Sequence, residues 1–258
     1  MANSRIYAVR KLRRLNPEEL APFQWQMPTQ RTGRKAVGGR WGVGSGNTEA
    51  EATDSPQPPT TNDPQPTTTK LDWPELFGNA NPVEIEVGMG KGLFLLSSAT
   101  GRPETNFLGI EIVRKYQLYA TTRFARRMLP NAKTVCADAR WVFRTFVEPG
   151  SVAAVHVYFP DPWWKARHKK RRVFSAGFAA DAATILDVGG KLLIATDVEE
   201  YFGVMTGIVR ALPSFRELRA ETSTGTVEEA GYQTNFEKKA RQKGTPVWRA
   251  EFERVPTE

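Results

Sequence analysis

A chain of 258 residues, 40% of them hydrophobic, can bury a real core, with material for one domain of about 150–250 residues and a tail. It holds no apolar run near the ~18–20 residues of a membrane span, and its N-terminus lacks the apolar stretch of a secretion signal. One cysteine, Cys136, excludes an internal disulfide and fits a reducing compartment; with only two histidines beside it, a structural zinc site is not expected. The net charge of +8 is unevenly placed. Residues 1–40 hold nine Lys/Arg against two acids, residues 41–80 one against six, and residues 159–172 six against one. The cationic surface therefore lies in a tail and one loop, where it suits a phosphate backbone, although a solvated basic loop would have the same composition.

The order along the chain starts with that basic tail, residues 1–40, which carries a short helix near Pro17 to Leu20 with Asn16 as cap and Pro17 at its first position. An organellar transit segment is the lesser alternative for the tail. Residues 41–70 form an acidic linker rich in Pro, Thr and Gly that cannot bury enough apolar surface to order itself. The main domain runs from Leu71 to the end, residues 71–258. Within it, strands alternate with helices. Strands are expected at Val83 to Val87, Asn106 to Ile110, Thr134 to Ala137, Val152 to Tyr158 and Lys191 to Ala195. Helices are expected at Lys91 to Ala99, Arg114 to Leu129, Trp141 to Phe146, Phe174 to Leu186 and Val198 to Leu212. Tyr116, Tyr119, Ala120, Phe124, Arg127 and Met128 recur at helical spacing in the second helix. Phe215 to Ala220 and Val247 to Phe252 would close the sheet as an antiparallel pair. The alternation predicts an α/β fold, a doubly wound, mostly parallel seven-stranded sheet of Rossmann-like type with helices on both faces.

In such sheets ligands bind beyond the carboxyl ends of the strands. Glu86-Val87-Gly88-Met89-Gly90-Lys91-Gly92 ends the first strand. Its alternating glycines let backbone approach a ligand, though a tight strand-to-helix turn needs them equally. The spacing is not the G-x-G-x-x-G that cradles a pyrophosphate. Glu111 follows the second strand, about 20 residues past Gly90, where an acid accepts ribose hydroxyls; a first-turn helix acid would also sit there. Asp138 follows the third strand and suits an adenine amino group or helix N-cap duty. Asp161 follows the fourth, fixed between Pro160 and Pro162, beside Trp163 and Trp164, before a run from Lys165 to Arg172. A rigid acid beside aromatic rings and a basic strip suits an aromatic, anionic substrate; a turn acid is the plainer alternative. Trp163 stacks on a base or walls the pocket. Asp197, after the fifth strand, reads as a helix cap. His168 belongs to a solvated charged run, and Cys136 to an inert strand position. Glycines with acids at three strand ends, and no phosphate cradle, describe a pocket for S-adenosyl-L-methionine better than one for a dinucleotide.

These motifs carry a resemblance. From Val83 to Phe252 the sequence resembles the bacterial tRNA (guanine-N7-)-methyltransferases, class I S-adenosylmethionine-dependent enzymes. The residues that carry it are Ile85-Glu86-Val87-Gly88-Met89-Gly90, Gly109-Ile110-Glu111, Asp138-Ala139, Phe159-Pro160-Asp161-Pro162-Trp163-Trp164-Lys165-Ala166-Arg167-His168, Thr196-Asp197 and Thr234-Asn235-Phe236-Glu237. The resemblance implies that Glu86, Gly88, Gly90, Glu111 and Asp138 line the cofactor site and that Asp161 is the active-site acid. It implies that Lys165, Asp197, Thr234, Asn235, Phe236 and Glu237 contact a tRNA substrate. The expected activity is methyl transfer to N7 of a tRNA guanine by a cytoplasmic enzyme without metal or membrane association, as monomer or homodimer. The alternatives are a methyltransferase for another RNA site or a small molecule, and a non-catalytic RNA-binding protein on the same fold.

Overall fold

Seven strands form one sheet: β1 (Val83–Val87), β2 (Asn106–Glu111), β3 (Ala132–Cys136), β4 (Val152–Tyr158), β5 (Leu186–Thr196), β6 (Phe215–Ser223) and β7 (Val247–Arg254), in the spatial order β3-β2-β1-β4-β5-β7-β6. The computed structural model describes residues 15–27, 70–162, 172–223 and 244–257. All but Met27 fall in one unit, Met1–Gln26 with Thr69–Glu258. The helices are α1 (Pro17–Leu20), α2 (Trp73–Phe77), α3 (Leu93–Gly101), α4 (Arg114–Arg126), α5 (Ala139–Thr145), α6 (Ala176–Ile185) and α7 (Glu199–Arg210).

The sheet is mixed rather than mostly parallel. β1 through β5 pair in parallel, whereas β7 runs antiparallel between β5 and β6. The physical reason is the connection. β5 and β6 are joined through α7, but β6 returns to β7 without a helical crossover among the described residues, so the last strand enters against its neighbours. Strand order reverses at β1: α3 and α4 carry the chain out to β3, and α5 brings it back to β4. Right-handed crossovers in opposite directions place α3 and α4 on one face and α5, α6 and α7 on the other.

The two faces differ in chemistry. Register alternation puts Ile85, Val87, Leu108, Ile110, Val135, Val155, Val157, Leu192 and Ile194 on one side, all buried. The other side carries Glu84, Glu86, Glu111, Thr134, His156 and Tyr158 beneath α3 and α4. Phe94 of α3 covers His156 and Tyr158, with ring centroids 4.7 and 5.0 Å away. Gln117 and Thr121 of α4 bond the Thr134 hydroxyl at 2.8 and 2.7 Å. The helical face expected of α4 is divided accordingly. Gln117, Ala120, Thr121 and Phe124 are buried, while Tyr116, Tyr119 and Met128 face solvent.

Part of the basic tail is built into the domain. Asn16 and Glu19 form a reciprocal capping box and Pro17 takes the first helical position, so α1 forms where expected. The following residues then line the outer edge of β3. Gln24 makes a parallel bridge to Thr134, and the Trp25 N–H donates to the Thr134 carbonyl at 2.9 Å. Lys133 Nζ donates to the Pro22 carbonyl, and the Trp25 ring packs edge-on to Phe146 at 5.2 Å.

Candidate active site

The glycine turn after β1 is held in a left-handed conformation at every second residue: Gly88 at φ 73°, Gly90 at 54° and Gly92 at 65°. A side chain would be strained at each. Gly92 is the N-cap of α3, so the helix starts at Leu93, two residues after the Lys91 expected from the sequence. Glu111 ties this turn to β2: its Oε2 accepts from the Gly90 N–H at 2.9 Å and its Oε1 from the Val113 N–H at 2.8 Å. Gly109 lies beneath the turn, and a Cβ there would overlap the Met89 sulfur and Leu95 Cδ1, so those side chains would have to move. Met89 can thus fold down onto β2 and keep the turn close to the sheet.

Glu86, opposite Gly109 in register, is 4% exposed, and its Oε2 has no hydrogen-bond partner among the described residues. Burial first, and then the charge of Glu111, push its pKa up to about 8. A buried carboxyl with an unused oxygen is costly unless a ligand completes it. Asp138 is exposed at the end of β3 and caps α5, accepting from the Trp141 N–H at 3.0 Å through Oδ1. Cys136, just before it, is a half-buried free thiol whose pKa burial raises.

At the end of β4, Phe159 adopts φ 51° and donates its N–H to the Ala195 carbonyl at 2.7 Å. A left-handed non-glycine residue costs about 1–3 kcal/mol and persists only where surroundings impose it. The bend turns Pro160-Asp161-Pro162 off the strand, and Asp161 is exposed. Arg172 folds back, its Nε donating to the Pro162 carbonyl at 2.6 Å and its guanidinium lying 5.1 Å from the Tyr201 ring. The buried Tyr201 hydroxyl has a pKa pushed up to about 12, by burial first; Arg172 opposes this and the charge of Asp161 adds to it. Asp197 stands half-buried beyond β5, but it does not cap α7. The N-cap is Val198, and the Thr196 hydroxyl accepts from its N–H at 3.2 Å. Lys165, Thr234, Asn235, Phe236 and Glu237, like Trp163, Trp164 and His168, lie outside the described residues. Glu86, Gly88, Gly90, Glu111, Asp138, Asp161 and Asp197 all stand at the carboxyl ends of the parallel strands. Glu86, Gly90 and Glu111 converge into one cluster, whereas Asp138 and Asp197 lie over flanking strands.

Sequence reading missed a buried chain that reaches this end of the sheet. Arg102 makes a two-pronged ion pair with Glu84 at 2.6 and 2.9 Å. Glu84 Oε2 lies 2.9 Å from His156 Nε2, and His156 Nδ1 lies 2.8 Å from the Tyr158 hydroxyl. Burial would raise the Glu84 pKa, but the bonds to His156 and Arg102 outweigh it and bring it down to about 2. The carboxylate is therefore an acceptor, so Nε2 of His156 carries a proton, and in the neutral ring Nδ1 accepts from Tyr158. His156 sits in a run that otherwise reads as apolar, and its partner is 72 residues away, so no local pattern reveals it. Glu84 should contribute roughly 3 kcal/mol of stability above pH ~4.5, lost as pH falls from ~4.5 toward ~2. Urea unfolding at pH 6 and pH 3 should show that decline, and Glu84→Gln should flatten it.

The residues present fit S-adenosylmethionine. Glu86 offers an unused buried carboxyl oxygen to a cation, Glu111 an ionisable acid with further lone pairs to a diol, and the turn offers backbone without side chains. No helix among the described residues is long and apolar enough to cross a membrane, and no group of three or more His, Cys, Asp or Glu among them could hold a metal ion. A mixed seven-stranded sheet with this turn and these acids at its mouth defines an S-adenosylmethionine-dependent methyltransferase. A family model described as "Putative methyltransferase" matches residues 80–250. A tRNA (guanine-N(7)-)-methyltransferase of Rhodopirellula baltica is 43% identical over 180 residues, 67% of this chain and 66% of that protein, just under two thirds of its length. One from Aliivibrio fischeri is 36% identical over 71% of this chain and 77% of its own. Among solved structures, a 16S rRNA (adenine(1408)-N(1))-methyltransferase from Catenulisporales acidiphilia aligns with a TM-score of 0.54 at 17% identity, over 73% of this chain and 94% of that one, a likeness of fold. The chain belongs to the tRNA (guanine-N7-)-methyltransferase family.

Proposed function

We propose that this chain transfers a methyl group from S-adenosylmethionine to N7 of a guanine in tRNA, in the cytoplasm. The observation that carries the reading is the unpartnered buried carboxyl of Glu86 beside the Glu111-tied glycine turn, one strand away from the outward bend that presents Asp161. The names of the relatives supply the substrate class. When bound, the cofactor supplies an electrophilic methyl group on a positively charged sulfur.

The chain's residues then have a defined task. Guanine N7 is a free lone pair at neutral pH, so no residue has to take a proton before attack. The site must hold N7 in line with the methyl group, and such positioning can supply several kcal/mol of the barrier, up to roughly 7–11. Glu86 and Glu111 would hold the cofactor's cationic and diol groups, Gly88 and Gly90 would let the backbone approach it, and Asp138 would serve the adenine amino group. Asp161 accepts from guanine N1–H and N2–H, which selects guanine over adenine and favours the positive charge that develops on the purine. Lys165 and Asp197, with Thr234, Asn235, Phe236 and Glu237, hold the rest of the nucleotide, roles taken from the family resemblance. A-form RNA buries N7 in a deep, narrow groove, so the target guanine lies in a loop or is extruded. The basic residues of the tail add sequence-independent affinity.

The test is transfer of label from S-adenosylmethionine to unmodified tRNA, followed by nucleoside analysis. 7-Methylguanosine is the expected product. A different methylated nucleoside would overturn the N7 assignment, and absence of label in tRNA would overturn the substrate.

A further inference from the structure

The outer face of α4 plays no part in the site described above, yet it is not an ordinary solvated helix face. Between Glu111 and Asp138 the chain holds six Lys/Arg and no acid. Tyr116, Tyr119, Arg123 and Arg127 recur at i, i+3, i+7 and i+11, which aligns them along one side of the helix. Tyr116 and Tyr119 are 42% and 52% exposed. Arg114, Lys115 and Arg127 are exposed as well. Tyr119 is flanked by two cations: Lys91 Nζ, from the glycine turn, lies 5.6 Å from its ring centroid, and the Arg123 guanidinium 5.8 Å. Arg123 also donates to the Lys91 carbonyl at 3.0 Å. The ring therefore gathers positive charge from two elements into a standing patch.

The patch also lies in a useful place. α4 starts three residues after Glu111, at the mouth of the sheet beside β2, two strands from β4, whose end presents Asp161. A polyanion whose base enters over β1 and β4 would pass α4 on the β2 flank. Aromatic rings among cations suit a sugar-phosphate backbone with unstacked bases, and the excess of Lys and Arg between Glu111 and Asp138 gives the charge complementarity.

We propose that the α4 face, from Lys91 and Tyr119 to Arg127, is a second contact surface for the RNA substrate. It grips the backbone on the β2 side of the mouth, across from the bend that presents Asp161. This rests on the reading of tRNA as substrate. The test uses the full chain, fluorescently labelled unmodified tRNA, and anisotropy titrations between 50 and 200 mM KCl. Lys115→Glu combined with Arg127→Glu is the main variant, since both side chains are exposed and neither belongs to the cofactor or catalytic set. Its tRNA affinity should fall about tenfold or more at 0.1 M salt, and the salt slope should shrink by roughly 1.5, the loss of about two phosphate contacts. S-adenosylmethionine affinity by calorimetry should stay within about twofold, which reports an intact fold. Tyr119→Ala should weaken tRNA binding several-fold, and Tyr119→Phe should restore it.

Parent-like affinity and slope in the double variant, with a parent that binds and methylates tRNA, would overturn this surface and leave the substrate reading standing. A parent that neither binds nor methylates tRNA would overturn the substrate reading and this surface with it. Loss of adhesion to phosphatidylglycerol vesicles with tRNA binding unchanged would assign the patch to a membrane surface and overturn the proposal.

Discussion

Asp161→Asn should lower turnover on tRNA by about two to three orders of magnitude, the range seen when a group that stabilises developing charge is removed. The amide keeps the shape of the side chain, so the outward bend between Pro160 and Pro162 and the neighbouring Arg172 contact with the Pro162 carbonyl should persist. What the amide lacks is the second acceptor oxygen and the charge. Guanine N1–H and N2–H would no longer both be met, and the positive charge arriving on the purine would face no anion. S-adenosylmethionine affinity should change by less than about twofold, because the Glu86 and Glu111 cluster lies over the neighbouring strands. Discrimination against adenine should fall along with the rate. Single-turnover assays on guanine- and adenine-containing substrates measure both. Near-parent turnover with unchanged base choice would mean that Asp161 is only a turn acid.

Cofactor binding at pH 7 should release close to one proton, and Glu86 is its source. Burial and the charge of Glu111 hold its pKa at about 8 in the free protein, so roughly nine in ten carboxyls are protonated at pH 7. A cationic ligand against the unpartnered oxygen reverses the preference and drives the proton off. Calorimetry in buffers of different ionisation enthalpy reads the number directly, as the slope of observed enthalpy against buffer enthalpy. Glu86→Gln should take that slope to near zero and weaken binding by about 10- to 100-fold at pH 8. Equal slopes in parent and variant would sink the assignment. The same group sets a trend in the free protein. A raised folded pKa gives a contribution fully present below pH ~4.5 and lost as pH rises toward ~8, so the ligand-free chain should lose stability across that window. Glu84 acts with the opposite sign over the acid range.

The sheet and its ligand end were legible because they are written in local pattern. β1 and β4 fall on the residues expected, Val83–Val87 and Val152–Tyr158: β1 alternates Val and Ile with Glu, β4 is a mostly apolar run, and both have strand length. Gly88, Gly90 and Gly92 could be seen as a turn that only glycine allows, and their positive φ values bear that out. Helix limits shifted where caps decide them: Asp138 starts α5 at Ala139 instead of Trp141, and Gly92 delays α3. What stayed hidden depends on partners far along the chain. His156 bonds Glu84 72 residues away, and Lys133 meets Pro22 across 111. Periodicity also cannot tell which side of α4 is covered. Tyr116 and Tyr119 have the spacing of a core stripe, yet Thr134 directs the Gln117 and Thr121 side inward through hydrogen bonds.

The strip at Pro22 to Trp25 has a consequence for synthesis. It leaves the ribosome more than a hundred residues before Lys133 and Thr134, the residues that receive it. At about 5–20 residues per second, that is a wait of roughly 5–20 s. During that interval the strip has no place to bind, and when β3 first pairs with β2 its outer edge stands open, a template for any other extended chain. The strip is thus made long before the strand it covers. Its docking marks the moment at which a newly made molecule stops offering that edge to its neighbours on the same messenger.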